Sequence, residues 1–138
     1  MEKHTIKNDI NVFGGQVTSF PNGIGEAFEP LMKKIPDGFN RSYYGIAKME
    51  GNQIIYIAAA EEKSKGEGKK YQCNDYVIEG GEYLTIAIAD WQPKTDSIKD
   101  VFGELMKDNR TDKSKPCIEW YKNDKEMFCM MKVRPGNS

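Results

Sequence analysis

The sequence contains one amphipathic pattern twice, with the second copy 74 residues after the first. In each copy apolar residues recur every three or four positions, which predicts a helix with one buried face. The matching pairs are Ile24 and Ile98, Phe28 and Phe102, Leu31 and Leu105, and Met32 and Met106. A chain with two such helices needs a surface on which both apolar stripes can pack, and a sheet provides one.

The predicted strands that follow each helix repeat at the same separation. Residues 42–49 correspond to residues 116–123, and residues 54–57 correspond to residues 128–131. Polar residues typical of tight turns separate the two strands in each copy, so each pair is predicted to form a β-hairpin.

A further strand is predicted before each helix, at residues 10–18 and 76–89, so each half has the order βαββ. We therefore predict an α+β fold in which a duplicated βαββ unit gives antiparallel strands, two helices and a groove between the halves. The predicted organisation is a single domain over residues 1–138, with repeat 1 at about 10–62, a solvated, charged linker at 63–70 and repeat 2 at about 71–133.

Charge and composition exclude several classes of function. Twenty basic residues against 21 acidic ones give a net charge of −1, which argues against a basic nucleic-acid surface. The single histidine, His4, and three cysteines without a CxxC spacing predict neither a metal site nor any other cofactor. No apolar stretch approaches a membrane span and no secretory signal begins the chain, so we expect a cytoplasmic protein that does not bind membranes.

Side-chain alternation places small and aromatic residues together on one face of three predicted strands. The residues that share a face within each strand are Tyr56, Ala58 and Ala60; Cys117, Glu119 and Tyr121; and Tyr83, Thr85, Ala87 and Ala89, followed by Trp91. We expect the helices to pack on the opposite face, which leaves an aromatic-walled cleft containing Glu119. A carboxylate among aromatic rings favours a flat organic cation. The alternative is an exposed face on which Glu119 is an ordinary surface charge.

Four short motifs occur in the order found in a known family. They are Tyr44-Gly45-Ile46, Gly81-Glu82-Tyr83, Phe102-Gly103-Glu104-Leu105 and Pro116-Cys117-Ile118-Glu119-Trp120-Tyr121. Over roughly residues 11–133, the duplicated unit resembles the GyrI-like small-molecule-binding domain, the effector-binding domain of bacterial multidrug-sensing transcription activators, with a SOUL/GyrI-like fold. The residues before the repeat show no helical pattern, so the chain resembles a stand-alone member and we expect no direct sequence-specific DNA binding.

The resemblance implies a ligand groove between the two halves with an anion at its base. The Pro-x-Ile-Glu-x-Tyr segment assigns that anion to Glu119 and an aromatic contact to Tyr121, and the Gly-Glu-Tyr segment adds Tyr83. Tyr56 and Trp91 are further expected wall residues.

Two adjacent tyrosines, Tyr43 and Tyr44, are alternative candidates for one position in the wall of the groove. Alternation favours Tyr43, whereas the Tyr-Gly pattern of the family favours Tyr44, so the choice between them stays open.

The sequence and the resemblance together imply one function and two alternatives. The first is binding of an amphipathic, cationic, aromatic small molecule. The alternative is hydrolysis of strained cyclopropane-containing genotoxins, with Glu119 as the base and a groove tyrosine such as Tyr121 as the proton donor. The second alternative is a protein-interaction role with a protein partner, as in the gyrase-inhibitor members of the family.

Overall fold

Eight antiparallel strands form one curled sheet in the computed structural model, which describes residues 1–17, 24–36 and 38–135. The strands are β1 (Glu2–Ile6), β2 (Ile10–Gln16), β3 (Tyr43–Glu50), β4 (Gln53–Glu61), β5 (Asn74–Ile78), β6 (Gly81–Ala89), β7 (Cys117–Tyr121) and β8 (Glu126–Lys132). Their order across the sheet is β1-β6-β8-β7-β3-β4-β2-β5. The predicted α+β class with antiparallel strands is confirmed.

The helices are α1 (Ile24–Lys34), α2 (Glu67–Lys70) and α3 (Ile98–Lys107), with 3₁₀ turns at Gly38–Asn40 and Gln92–Ser97. The long helices α1 and α3 are those predicted from the repeat, and they pack on β4 and on β6 and β8, respectively. Phe28 and Phe102 are buried, as the apolar stripes predict. The prediction that Met106 belongs to the buried stripe was wrong, because its side chain is 47% exposed. The adjacent Leu105 is fully buried.

The first strand of each half pairs with the other half. β1 precedes β2 in the chain but pairs with β6, and β5 precedes β6 but pairs with β2. The sequence pattern did not predict β1, because four of its five residues are exposed and only Ile6 is buried. The strand predicted at 76–89 is two strands, separated where Gly81 adopts a φ of +131°. Of the strand predicted at 10–18, Thr18 lies outside the described residues.

The separation of 74 residues does not hold across the whole sheet. Gly45 pairs with Ala58 on one side and Glu119 pairs with Cys129 on the other. From Gly45 to Glu119 the separation is 74 residues, but from Ala58 to Cys129 it is 71, because the second hairpin is three residues shorter. The predicted correspondence of residues 54–57 with 128–131 was therefore wrong by three residues. Because three is odd and side chains alternate between faces, the prediction matched each side chain of β4 with one on the wrong face of β8.

The segment predicted as a solvated linker contains a buried ion pair. Within residues 63–70 the chain forms α2, and the Glu67 carboxylate lies against Arg41, both less than a tenth exposed. The Arg41 guanidinium donates to both carboxylate oxygens at 3.1 and 2.9 Å, and the backbone N–H groups of Lys63 and Ser64 also donate to Glu67. This segment is therefore held by charge-assisted hydrogen bonds to Arg41, which lies just before β3 and also donates to the Glu61 carbonyl at the end of β4.

Candidate functional site

Glu119 lies at the middle of the sheet on the central strand β7. Its neighbours across the sheet are Gly45 on β3 and Cys129 on β8. One carboxylate oxygen, Oε1, accepts hydrogen bonds from the Tyr56 hydroxyl at 2.5 Å and the Tyr121 hydroxyl at 2.8 Å. The residue is 8% exposed, and no Lys or Arg in the described part of the chain forms an ion pair with it. The site is therefore a buried carboxylate held by two phenols.

Gly45 makes the contact between Tyr56 and Glu119 sterically feasible. Tyr56 lies on β4 and Glu119 on β7, so the hydrogen bond between them passes over the intervening strand β3. A Cβ atom at Gly45 would collide with both the Tyr56 hydroxyl and Glu119 Oε1. The absence of a side chain on β3 is thus a geometric requirement of the hydrogen bond.

Aromatic rings from three parts of the chain surround the Tyr121 ring. Trp91, which follows β6, lies 4.8 Å from Tyr121 between ring centroids, and Phe28 of α1 lies 5.4 Å away in an edge-to-face arrangement. Tyr43 of β3 makes a second edge-to-face contact with Phe28 at 6.2 Å. Trp91 is fixed further by its indole N–H, which donates to the Asn123 carbonyl at 2.9 Å.

Burial dominates the electrostatics of the site. It raises the pKa of the Glu119 carboxyl, while the hydrogen bonds from Tyr56 and Tyr121 oppose that rise. Burial and the neighbouring Glu119 charge also raise the pKa values of Tyr56 and Tyr121, so both phenols remain protonated donors. Burial and the same charge raise the pKa of Cys117 to about 11, which keeps its thiol protonated.

The structure places five of the seven predicted site residues together. Tyr43, Tyr56, Trp91, Glu119 and Tyr121 lie on the face of the sheet that α1 and α3 cover. The expectation that this face is free of helices was wrong, because alternation shows which residues share a face but not which face the helices cover. Of the two neighbouring tyrosines, Tyr43 lies on the Glu119 side.

The other two predicted residues, Tyr44 and Tyr83, lie on the opposite face of the sheet. Both belong to the second apolar core, with Ile46, Ile57 and Ile118. The Tyr83 hydroxyl donates to the Glu79 carbonyl at 2.6 Å, and burial, followed by the charges of Glu79 and Asp9, raises its pKa to about 12. Neither ring contacts the Glu119 cluster, which consists of Glu119, Tyr56, Tyr121, Trp91 and Phe28.

Sequence reasoning missed three contributors to the site: Gly45, Phe28 and Cys129. Gly45 was noted only as part of a motif, although glycine in a strand interior often marks a close approach of other groups. Phe28 was assigned to the helical stripe without a view of what it packs against. Cys129 is fully buried beside Glu119, a position that depends on the strand register and has no local sequence signal.

Substituting Gly45 with alanine is expected to lower the free energy of unfolding by about 1–3 kcal/mol, because the Tyr56 and Glu119 side chains must move apart. The matched control is Gly103→Ala on α3, where a Cβ meets nothing within 4 Å and helix propensity predicts a gain of about 0.5–1 kcal/mol. Urea denaturation of both variants measures the difference. Equal effects of the two substitutions would contradict the steric role of Gly45.

Neither a metal centre nor a membrane-spanning helix is found within residues 1–17, 24–36 and 38–135. No group of three or more His, Cys, Asp or Glu residues there could hold a metal ion. No helix in this part of the chain combines the length and apolar character needed to cross a bilayer.

Comparison with solved structures supports the fold. An integron cassette protein from Vibrio cholerae superimposes with a TM-score of 0.69 at 17% identity, covering 96% of this chain and 95% of that one. SAV2435 bound to tetraphenylphosphonium gives a TM-score of 0.63 at 17% identity, with 98% and 95% covered. A hydrolase from Listeria innocua gives 0.58 at 11% identity, with 96% and 90% covered.

No family model matches the sequence, and no curated protein matches it either. At 11–17% identity the structural likenesses concern the fold alone. The protein has a GyrI-like fold, an α+β architecture built on a curled antiparallel sheet, as the sequence motifs predicted.

Proposed function

We propose that this protein binds amphipathic, cationic, aromatic small molecules at Glu119. The observation that carries the proposal is a buried carboxylate that accepts hydrogen bonds from two phenols and forms no ion pair with any basic side chain of the described residues. A buried anion without a cation is costly, and the cost is reduced either by a proton or by a cationic ligand. SAV2435, which shares the fold, is bound to tetraphenylphosphonium, a cation with four phenyl groups.

The aromatic rings around Tyr121 suit the same class of ligand. Rings supply apolar contact area and cation–π attraction of about 0.5–2 kcal/mol each. Because Glu119 is only 8% exposed, a bulky ligand reaches it when the Phe28 and Trp91 rings move away from Tyr121. Both rings lie outside the central strands, Phe28 on α1 and Trp91 after β6, so their displacement breaks the Trp91–Asn123 hydrogen bond but no strand pairing.

Titration with tetraphenylphosphonium tests the proposal. Trp120→Phe leaves Trp91 as the single tryptophan of the chain, so quenching of its fluorescence reports on the rings next to Tyr121. In this background we expect saturable quenching and a Glu119→Gln variant that binds at least ~10-fold more weakly, about 1.4 kcal/mol.

The control for overall charge is Glu104→Gln, the same change at an exposed carboxylate on α3. We expect it to leave the affinity unchanged, whereas equal affinities of wild type and Glu119→Gln would refute the proposal. A thermal melt of each variant by circular dichroism verifies that the fold is retained.

Hydrolysis of a strained cyclopropane electrophile is the second candidate function. Glu119 with its raised pKa suits a general base for the water, whose oxygen bonds to a ring carbon as the ring C–C bond breaks. The Tyr121 hydroxyl, 2.8 Å from Glu119, suits the donor that protonates the group receiving the electron pair of that bond. The likeness to a hydrolase from Listeria innocua also favours it. A product heavier than the substrate by one water, formed over many turnovers and lost in Tyr121→Phe, would establish hydrolysis. An unchanged ligand mass would contradict hydrolysis and leave binding as the single proposed function.

A further inference from the structure

A cavity that is separate from the Glu119 cluster opens where β7 begins. Its volume is about 600 Å³, within the range of small-molecule sites. β3 extends beyond the start of β7, since its last residue paired with β7 is Ala47 while the strand continues to Glu50. This overhang leaves a notch in the sheet, and Ile46, Ile118 and Tyr83 from the second apolar core line it.

Four large apolar side chains that are exposed to solvent line this cavity. They are Met49 at 62%, Ile54 at 52%, Val77 at 56% and Met106 at 47% exposed. In the described part of the chain, the other exposed large apolar residue is Met1. Exposed apolar side chains scattered singly are ordinary, but their concentration around one cavity is typical of a binding site.

The charged groups of the cavity are strongly unbalanced. Lys48, Lys113, Lys115 and Lys132 line it together with one carboxylate, that of Glu79. The charge of these five side chains is therefore +3, in a chain whose net charge is −1.

Within the described residues, the hydrogen bonds and ion pairs of these lysines reach one carboxylate, that of Glu79. Lys115 and Lys132 share Glu79 at 3.2 and 3.0 Å, and Lys113 donates to the Asp108 backbone carbonyl and to the Thr111 hydroxyl. The carboxylates of Asp108, near Lys113, and of Asp112, near Lys115 and Lys132, lie outside the cavity lining and accept hydrogen bonds from Arg110 and Ser114. Lys48 has neither an ion pair nor a hydrogen bond within the described residues.

We propose that this cavity binds an amphipathic organic anion, with an apolar chain against Met49, Ile54 and Met106 and a carboxylate head among the lysines. Charge complementarity selects the anion, and the exposed apolar side chains select the chain attached to it. The site differs in location and in sign from the Glu119 cluster, so this proposal is independent of the proposed function.

Isothermal titration with dodecanoate, kept below its micelle concentration, tests the anion site. We expect saturable binding to the wild type and at least ~10-fold weaker binding to the double variant Lys48→Gln/Lys115→Gln. The matched control is Lys99→Gln/Lys125→Gln, which removes the same charge at exposed lysines outside the cavity and is expected to bind like the wild type.

Two further variants distinguish this site from the Glu119 cluster and from charge effects alone. Ile54→Gln is expected to weaken dodecanoate binding because it removes apolar contact area, and Glu119→Gln is expected to leave it unchanged. No saturable binding, or equal weakening by the two lysine pairs, would overturn the proposal. Loss of dodecanoate binding in Glu119→Gln would overturn it too, since the anion would then depend on the other site.

Discussion

Phe102→Ala is expected to lower the free energy of unfolding by about 3–5 kcal/mol, the usual cost of emptying a buried aromatic position. Phe102 lies on α3 and is packed in the core between the helices and the sheet. The change leaves a cavity that the surrounding strands cannot fill completely. Chemical denaturation monitored by circular dichroism measures the loss.

Met106→Ala, one turn further along the same helix, is the matched control. The sequence pattern places both residues on one apolar stripe, but Met106 is 47% exposed and its truncation is expected to cost less than about 1 kcal/mol. If the two substitutions destabilised the protein equally, the packing of α3 on β6 and β8 described above would be contradicted.

Arg41→Met is expected to cost about 3–5 kcal/mol of stability, because it leaves the Glu67 carboxylate buried without its cation. Removing both charges in Arg41→Met/Glu67→Gln is expected to restore part of the loss, and a double-mutant cycle of unfolding free energies measures the coupling. Arg110→Met breaks the partly exposed pair with Asp108 and is expected to change stability much less than Arg41→Met. If Arg110→Met lowered the free energy of unfolding as much as Arg41→Met, the claim that burial makes the Arg41–Glu67 pair important for stability would be contradicted.

The same ion pair makes stability depend on pH. The Arg41 hydrogen bonds, assisted by the Lys63 and Ser64 backbone donors, lower the pKa of Glu67 to about 2. A lowered folded-state pKa contributes stability above the unfolded value of about 4.3, and this contribution is lost as the pH falls toward 2. Glu67→Gln is expected to flatten the pH dependence in this range, as acid-denaturation curves would show. If the stability of Glu67→Gln fell with decreasing pH as steeply as that of the wild type, the acid sensitivity would come from other carboxylates.

The helices and the fold class were predictable because they depend on local periodicity. Phe28 and Phe102 mark the apolar stripes without any knowledge of the sheet, and Glu119 and Tyr121 were found through a contiguous motif. Periodicity does not indicate which strand each strand pairs with. The polar strand β1 has no apolar alternation, and it is held by pairing with β6, which is distant in the sequence.

The residues of the site were predictable only in part, because alternation relates residues within one strand. Alternation grouped Tyr56 with Ala58 and Glu119 with Tyr121, but it could not relate the faces of different strands. Glu119 pairs with Cys129 and Tyr83 pairs with Lys132, three residues further along β8, so Tyr83 lies on the face opposite Glu119. The ion pair of Arg41 with Glu67 had no sequence signal either, because its residues are far apart in a charged segment.

The most direct test of the central claim is the pH dependence of tetraphenylphosphonium affinity as the pH is lowered through the range in which the Glu119 carboxyl takes up its proton. Burial raises the pKa of Glu119, and a bound cation favours its charged form. Binding should therefore weaken as the pH falls and should release protons, which calorimetry in buffers of different ionisation enthalpy detects. In Glu119→Gln both effects should vanish. Wild-type affinity that is independent of pH, or a pH dependence that survives in Glu119→Gln, would contradict a role for this carboxylate in holding the cation.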